Sequence, residues 1–345
     1  MFRGTSQQQI LSIKILIFIL LLLSIGCKKP EILKPIDNPP IPVRGFFMGL
    51  LPIPAQGQSF EDAYSQAKQY SEFVPVWGRP TPFYNLASDL KGDWGKIFVQ
   101  QFIRENGMFP LIHLSFIGPG LSLVAPPGMD NPSLSDSKWR AEYKKSVLNV
   151  IKVIKPLYLS IGNEVNRWYE KYGLEGNNGF EHFVSLYEEI YDEAKKISPA
   201  TNLFCTFARE IVSENREADL EVLRFFNPDK MDLLIFTSYP YSLGITHPSQ
   251  IQDDYYSRCV DYMPEKPFGF SEIAWSSLEA LGGEQAQAEF LTQLTTRLTK
   301  DRGIQLFMLG WPWLHDLDEK DTIGLIRIDG SEKLAYSIWK SISEQ

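Results

Sequence analysis

Eight short apolar runs separated by amphipathic stretches constrain this 345-residue chain more than any other feature. They fall at 45–51, 73–77, 109–116, 157–162, 202–207, 231–238, 267–271 and 304–310. Each has strand length and is apolar without strict alternation, the pattern of strands covered on both faces. The stretches between them carry helical spacing. Residues 59–70 open with Ser59-Phe60-Glu61-Asp62, a capping-box pattern with an acid at the third helical position. Phe180, Phe183, Leu186, Tyr187, Ile190 and Ala194 share one helical face. Residues 286–298 repeat that pattern, and 332–342 close the chain with another helix. Strands alternating with helices, with no linker after Pro42, predict an α/β fold built as a single (β/α)8 TIM barrel. A doubly wound open sheet is the alternative. No G-x-G-x-x-G or P-loop sequence follows any run, and the first run leads instead into Pro52-Ile53-Pro54.

Two of the runs end in a glutamate: Ser160-Ile161-Gly162-Asn163-Glu164 and Gly269-Phe270-Ser271-Glu272. A buried strand has no packing use for a carboxylate at its C-terminal tip. In a parallel barrel or open sheet that tip is where ligands and chemistry sit. A rim salt bridge is the ordinary use of either residue alone. Two such carboxylates from distant parts of the chain are what glycoside hydrolysis requires: one proton donor and one nucleophile or base. The donor needs a raised pKa, and the nucleophile must stay ionised.

Asn-Glu at the tip of the fourth strand with Glu at the tip of the seventh resembles the signature of the clan-A retaining glycoside hydrolases. That group includes β-galactanases, β-mannanases, cellulases and β-glucosidases. The resemblance covers the barrel from about Gly45 to the C-terminus. It implies that Glu164 is the general acid/base, that Glu272 is the nucleophile, and that Asn163 donates to the sugar 2-hydroxyl. Further positions extend it. Tyr239, in Ser238-Tyr239-Pro240-Tyr241 after the sixth run, matches a clan tyrosine that bonds the nucleophile, with Tyr241 as second choice. Trp77-Gly78-Arg79 ends the second run, where the clan places an arginine near the nucleophile, so Trp77 and Arg79 are candidates. Trp311, in Gly310-Trp311-Pro312-Trp313, matches a tryptophan that floors the cleaved sugar's subsite. His113 could reach the sugar from the third strand, with a core histidine as the plain alternative, and Trp275 would wall the cleft. Glu170 and Glu175 are the nearest substitutes for Glu164. Residues 324–330 with Lys333, Ala335 and Trp339 resemble the structural turn into the last helix of these enzymes. The Asn-Glu context and Ser238-Tyr239-Pro240 resemble arabinogalactan endo-β-1,4-galactanases, and the overall shape resembles β-mannanases, without the full motif set of either.

The activity so implied is retaining hydrolysis of β-linked poly- or oligosaccharide of β-galactan, β-mannan or β-glucan type, with no cofactor and no metal. The alternative is a non-catalytic carbohydrate-binding surface lipoprotein on the same scaffold. A barrel aldolase or metal hydrolase would need a strand-tip lysine or a His/Asp cluster. No lysine stands at those tips, and the 4 histidines are scattered.

Composition agrees with a sugar-binding protein. Aromatic residues make up 13% of the chain, including 8 Trp and 15 Tyr, and flat pyranose faces stack on such rings. The net charge of -8 and pI near 5.2, with no basic stripe, argue against nucleic acid as a partner and against adhesion to anionic lipid. The N-terminus reads as a signal: Arg3 and Lys14 precede an apolar run at 15–25, followed by Gly26-Cys27. The run is shorter than the roughly 20 residues of a spanning helix. Leu23-Ser24-Ile25-Gly26-Cys27 resembles a bacterial lipoprotein box, displaced by one residue at its leucine, which implies cleavage before Cys27 and lipidation of its thiol. The expected organisation is a signal peptide at 1–26, a Pro/Lys-rich tether at 27–42 and the catalytic barrel at 43–345. The protein would be a monomer in the cell envelope, lipid-anchored to the membrane outside the cytoplasm. Cys205 and Cys259 read as free thiols, with a disulfide between them left open.

Overall fold

In the computed structural model, which describes residues 39–77, 82–300 and 303–345, every apolar run carries a strand. These are β1 (Phe47–Leu51), β2 (Phe73–Trp77), β3 (Phe109–His113), β4 (Tyr158–Ser160), β5 (Asn202–Phe204, resumed at Thr206–Ala208), β6 (Leu234–Ser238), β7 (Phe268–Ile273) and β8 (Leu306–Trp313). Among the described residues each pairs in parallel with its neighbours in chain order, and β8 returns to β1. The ring closes through β5, which breaks at Cys205. Its first half pairs with β4 and its second half with β6. This is the (β/α)8 barrel that the alternation predicts.

Aromatic side chains from the strand starts plug the N-terminal end of the barrel. Phe47 of β1 meets Phe109 of β3 edge-on at 5.1 Å, and Phe109 meets Tyr158 of β4 at 5.1 Å. Phe47 and Phe109 lie on strands that are not neighbours, so their rings meet inside the ring of strands. The opposite, C-terminal mouth is left for function.

The helices form the outer layer. α1 (Phe60–Ala67) starts where expected, with the Ser59 hydroxyl accepting from the Asp62 N–H at 3.1 Å. After β2 the crossover is irregular: α2 (Leu86–Lys91) runs into a π-helical segment, Gly95–Ile103. A Cβ on Gly95 would lie 2.0 Å from the Leu90 carbonyl oxygen, so the close turn there requires glycine. α3 (Ser137–Ile154) follows β3, and the short α4 (Asn166–Tyr172) follows β4. α5 (Phe180–Ile197) buries all six residues of the predicted apolar face. α6 (Ser257–Val260), α7 (Gly283–Lys300) and α8 (Leu334–Ser343) complete the layer.

Strand ends differ from the apolar runs because pairing, not polarity, sets them. β7 runs on to Ile273 through pairing with Ser238, and β8 runs on to Trp313 through pairing with Leu51. Cys205 and Cys259 are free and buried, which settles the disulfide alternative.

Candidate active site

The turn after β4 carries the first glutamate in an unusual conformation. Glu164 has φ +48°, in the left-handed region that non-glycine residues seldom occupy. Thr206 of β5 pins the turn from four directions. Its N–H donates to the Gly162 carbonyl at 2.9 Å, and its carbonyl accepts from the Val165 N–H at 3.0 Å. Its hydroxyl accepts from the Glu164 N–H at 2.9 Å and donates to Asn163 Oδ1 at 2.7 Å. Gly162 permits the approach, since a Cβ there would sit 2.5 Å from Val165. Just beyond, the Asn166 amide bonds both the N–H and the carbonyl of Ala208 at 2.8 Å. Backbone and side-chain bonds together thus tie the turn after β4 to the second half of β5. With Asn163 Oδ1 taken, its NH2 is the group left to donate into the mouth.

Glu164 projects toward β6. Thr237 donates to Oε1 at 2.8 Å, and Arg167 pairs with Oε2 at 2.5 Å. Thr237 is the register partner of Glu272 on β7, so the two glutamates flank one residue at the same mouth. The Tyr239 hydroxyl donates to Glu272 Oε2 at 2.6 Å. Burial, joined by the charge of Glu164, pushes the Glu272 pKa up to about 7 against that bond, which pulls it down. Burial prevails because Glu272 has one hydroxyl donor and, among the described residues, no ion-pair partner.

A cleft of about 430 Å³ opens beside Glu164, lined by Trp77, Asn163, Arg167 and the hairpin of Ile117–Gly118 with Ser122–Leu123. His113 stacks under Trp77, with ring centroids 3.9 Å apart and an interplanar angle of 10°. Its exposure is 3%, neither ring nitrogen has a hydrogen-bond partner, and burial pushes its pKa down to about 3. It is a neutral support for Trp77 rather than a surface that a sugar meets.

Two aromatic expectations are corrected by burial. Trp311 is 0% exposed, donates to the Ile323 carbonyl at 2.7 Å and packs against Phe290 of α7 and Trp339 of α8. Trp275 is 0% exposed, donates to the Leu281 carbonyl at 3.0 Å and lies against Phe290. A ring with no exposed face cannot floor or wall a sugar site. Tyr241 packs between Tyr239 and Trp275, away from Glu272's hydrogen bond. Glu170 pairs with Arg216 and caps the Asp219 N–H, and Glu175 is exposed, so neither replaces Glu164. Arg79 and Cys27 lie outside the described residues.

Sequence reasoning passed over several residues of this site. Glu210 follows β5 and is buried under three donors: Ser238 Oγ at 2.8 Å, Tyr255 OH at 2.6 Å and the Tyr239 N–H at 2.7 Å. Burial pushes its pKa up to about 6 against those bonds. It holds the backbone of the tyrosine that bonds Glu272. The signal was present, because Phe207-Ala208-Arg209-Glu210 is a third apolar run ending in a glutamate. Arg167, Thr206 and Thr237 had no such marker. Among the described residues no group of His, Cys, Asp and Glu side chains is placed to hold a metal ion.

No protein-family model and no curated protein sequence matches the chain. Solved structures do resemble it. A family 39 glycoside hydrolase from the gut symbiont Bacteroides cellulosilyticus WH2 superposes with TM-score 0.60 at 14% identity over 88% of this chain, which spans just 65% of that protein. Xylanase 10B from Thermotoga maritima gives 0.61 at 13% identity, over 87% of this chain and 95% of that one. GH5_18 from Bifidobacterium longum subsp. longum ATCC 55813 gives 0.62 at 13% identity, over 87% and 79%. At such identities the likeness is one of fold.

Proposed function

We propose that this chain is a retaining glycoside hydrolase acting on β-linked poly- or oligosaccharide, of the β-galactan, β-mannan or β-glucan type. One observation carries the reading: two glutamates from β4 and β7 flank Thr237 at one barrel mouth, each with its own hydroxyl donor. The glycoside hydrolases among the structural neighbours add to it at the level of fold.

In the first step the Glu272 carboxylate attacks the anomeric carbon while protonated Glu164 gives its proton to the glycosidic oxygen. The C–O bond to the leaving sugar breaks, and an ester to Glu272 forms. In the second step Glu164, now a carboxylate, takes a proton from water as that water attacks the anomeric carbon. Glu272 leaves as a carboxylate, and the configuration is retained. Asn163's NH2 is placed to donate to the sugar, and Tyr239 steadies the Glu272 charge.

The experiment is a panel of neutral β-glycans, with the anomer of the first product read by NMR. Retention is expected, with Glu272→Gln lowering turnover by orders of magnitude and Glu164→Ala by about 10²–10⁴. On aryl glycosides with acidic leaving groups, azide should rescue Glu164→Ala. Inversion, or full activity in Glu272→Gln, would overturn the reading. Sugar binding without hydrolysis would favour the carbohydrate-binding alternative. The apolar run at 15–25 followed by Gly26-Cys27 supports a lipid-anchored enzyme outside the cytoplasm, for which membrane fractionation of Cys27→Ser is the check.

A further inference from the structure

Arg167 sits where a neutral-glycan hydrolase has little use for it. Its guanidinium is paired with Oε2 of Glu164 at 2.5 Å. The arginine is half-exposed, lines the 430 Å³ cleft, and spends one N–H on Glu164. Its other donors have no protein partner among the described residues. Four residues on along α4 is Lys171, an exposed cation. Its ammonium bonds only the neutral carbonyls of Gly120 (2.8 Å) and Leu121 (3.3 Å), which belong to the hairpin walling the same cleft. Residues at i and i+4 share a helix face. In a chain of net charge -8, two cations that among the described residues have no carboxylate partner other than the candidate acid stand on one helix face, Arg167 lining the cleft and Lys171 bonded to its hairpin wall.

Their side of the site is defined by Glu164 itself. Thr237, the register partner of Glu272, bonds Oε1, while Arg167 bonds the other oxygen, Oε2. The attacked sugar ring lies over Glu272, so the arginine lies toward the leaving group.

We propose that the leaving-group side of this cleft recognises an anionic saccharide, carrying a uronate carboxylate or a sulfate ester, and that Arg167 exchanges Glu164 for that anion when substrate binds. The inference rests on the hydrolase reading above. The guanidinium offers a planar fork that matches either anion. The exchange removes the cation from Glu164 and frees its Oε2 to face the glycosidic oxygen.

The test uses two backbone-matched pairs on the full chain: xylan against glucuronoxylan for the carboxylate, and galactan against sulfated galactan for the sulfate. Turnover is read on the wild type, and binding is read by calorimetry with oligosaccharides of the same four glycans on Glu272→Gln. The charged member of at least one pair should be preferred by about tenfold or more, the size of one charge-assisted contact. Arg167→Met should bring that ratio to about one, and Arg167→Lys should keep part of it, since an ammonium retains the charge without the fork. If neither turnover nor binding prefers a charged member, the proposal is overturned, including when nothing is cleaved. Equal cleavage of neutral and charged members leaves the hydrolase reading standing without it. Preferential binding of a charged member that vanishes in Arg167→Met, with no cleavage, sinks the hydrolase reading and keeps the recognition.

Discussion

Glu272 accepts one hydrogen bond among the described residues, from Tyr239, and burial outweighs it. The consequence is a pH dependence of definite sign. The nucleophile works only as a carboxylate, and its pKa in the free protein is about 7. The acid limb of kcat/KM should therefore centre near pH 7, with activity falling about tenfold per pH unit below it, and the profile stays bell-shaped because a protonated acid is needed as well. Tyr239→Phe removes the bond that favours the charged form, so that limb should move to higher pH. An acid limb near 4.5 in the wild type, or one unmoved in Tyr239→Phe, would contradict this account. At this scale the sequence was readable where a carboxylate ended an apolar run. Glu164 and Glu272 stood out that way, and Tyr239 came from the resemblance. Trp311 and Trp275 were misjudged, because a tryptophan at a strand tip has the same letters whether its ring turns to the mouth or to the helices. Arg167 and Thr237 gain their meaning only from what they touch, and no spacing announces that.

The elements that matter are the β4 turn and the split β5. The left-handed φ of Glu164 is the kind of conformation that persists only when its surroundings over-determine it, and Thr206 supplies that constraint. Thr206→Val keeps the shape but strips the hydroxyl, leaving the Glu164 N–H and Asn163 Oδ1 without a partner. The expected loss of stability is about 1–3 kcal/mol. The turn then shifts, and a misplacement near 1 Å lowers kcat by up to about a hundredfold. Thr206→Ser should keep most of both. Denaturant melts and steady-state kinetics on the two variants check this, and wild-type kcat in Thr206→Val would show that the turn holds itself. The apolar runs made the existence of β4 and β5 plain. The break at Cys205 was hidden, because residues 202–207 are apolar through it, while beyond it the Thr206 hydroxyl holds the turn after β4 and the Asn166 amide of that turn holds Ala208.

Across the whole molecule, ring order followed from strand–helix alternation, but what fastens the chain's end to the ring did not. Lys333 opens α8 with its ammonium buried, bonded to Asp316 Oδ1 at 2.6 Å, Ser277 Oγ at 2.9 Å and the Thr322 and Gly324 carbonyls. These partners lie in the segments after β7 and β8, so one lysine ties both to the last helix. Trp339 extends the tie, donating to the Tyr70 carbonyl just before β2. The resemblance marks this tail as structural, yet a lysine that follows Asp329-Gly330-Ser331-Glu332 gives no sign that it is buried. Breaking a buried pair on one side leaves the other charge stranded. Lys333→Met should therefore lower stability by about 3–5 kcal/mol, a fall in Tm on the order of 10 °C. Adding Asp316→Leu should recover most of that, because it removes the stranded carboxyl and Gln287 still donates to the Thr322, Ile323 and Gly324 carbonyls. A double-mutant cycle by thermal melt separates the outcomes. A single variant within about 1 kcal/mol of wild type would mean the ammonium is already solvated, and a double variant no better than the single would place the loss in the packing around α8 instead of in the charge left behind.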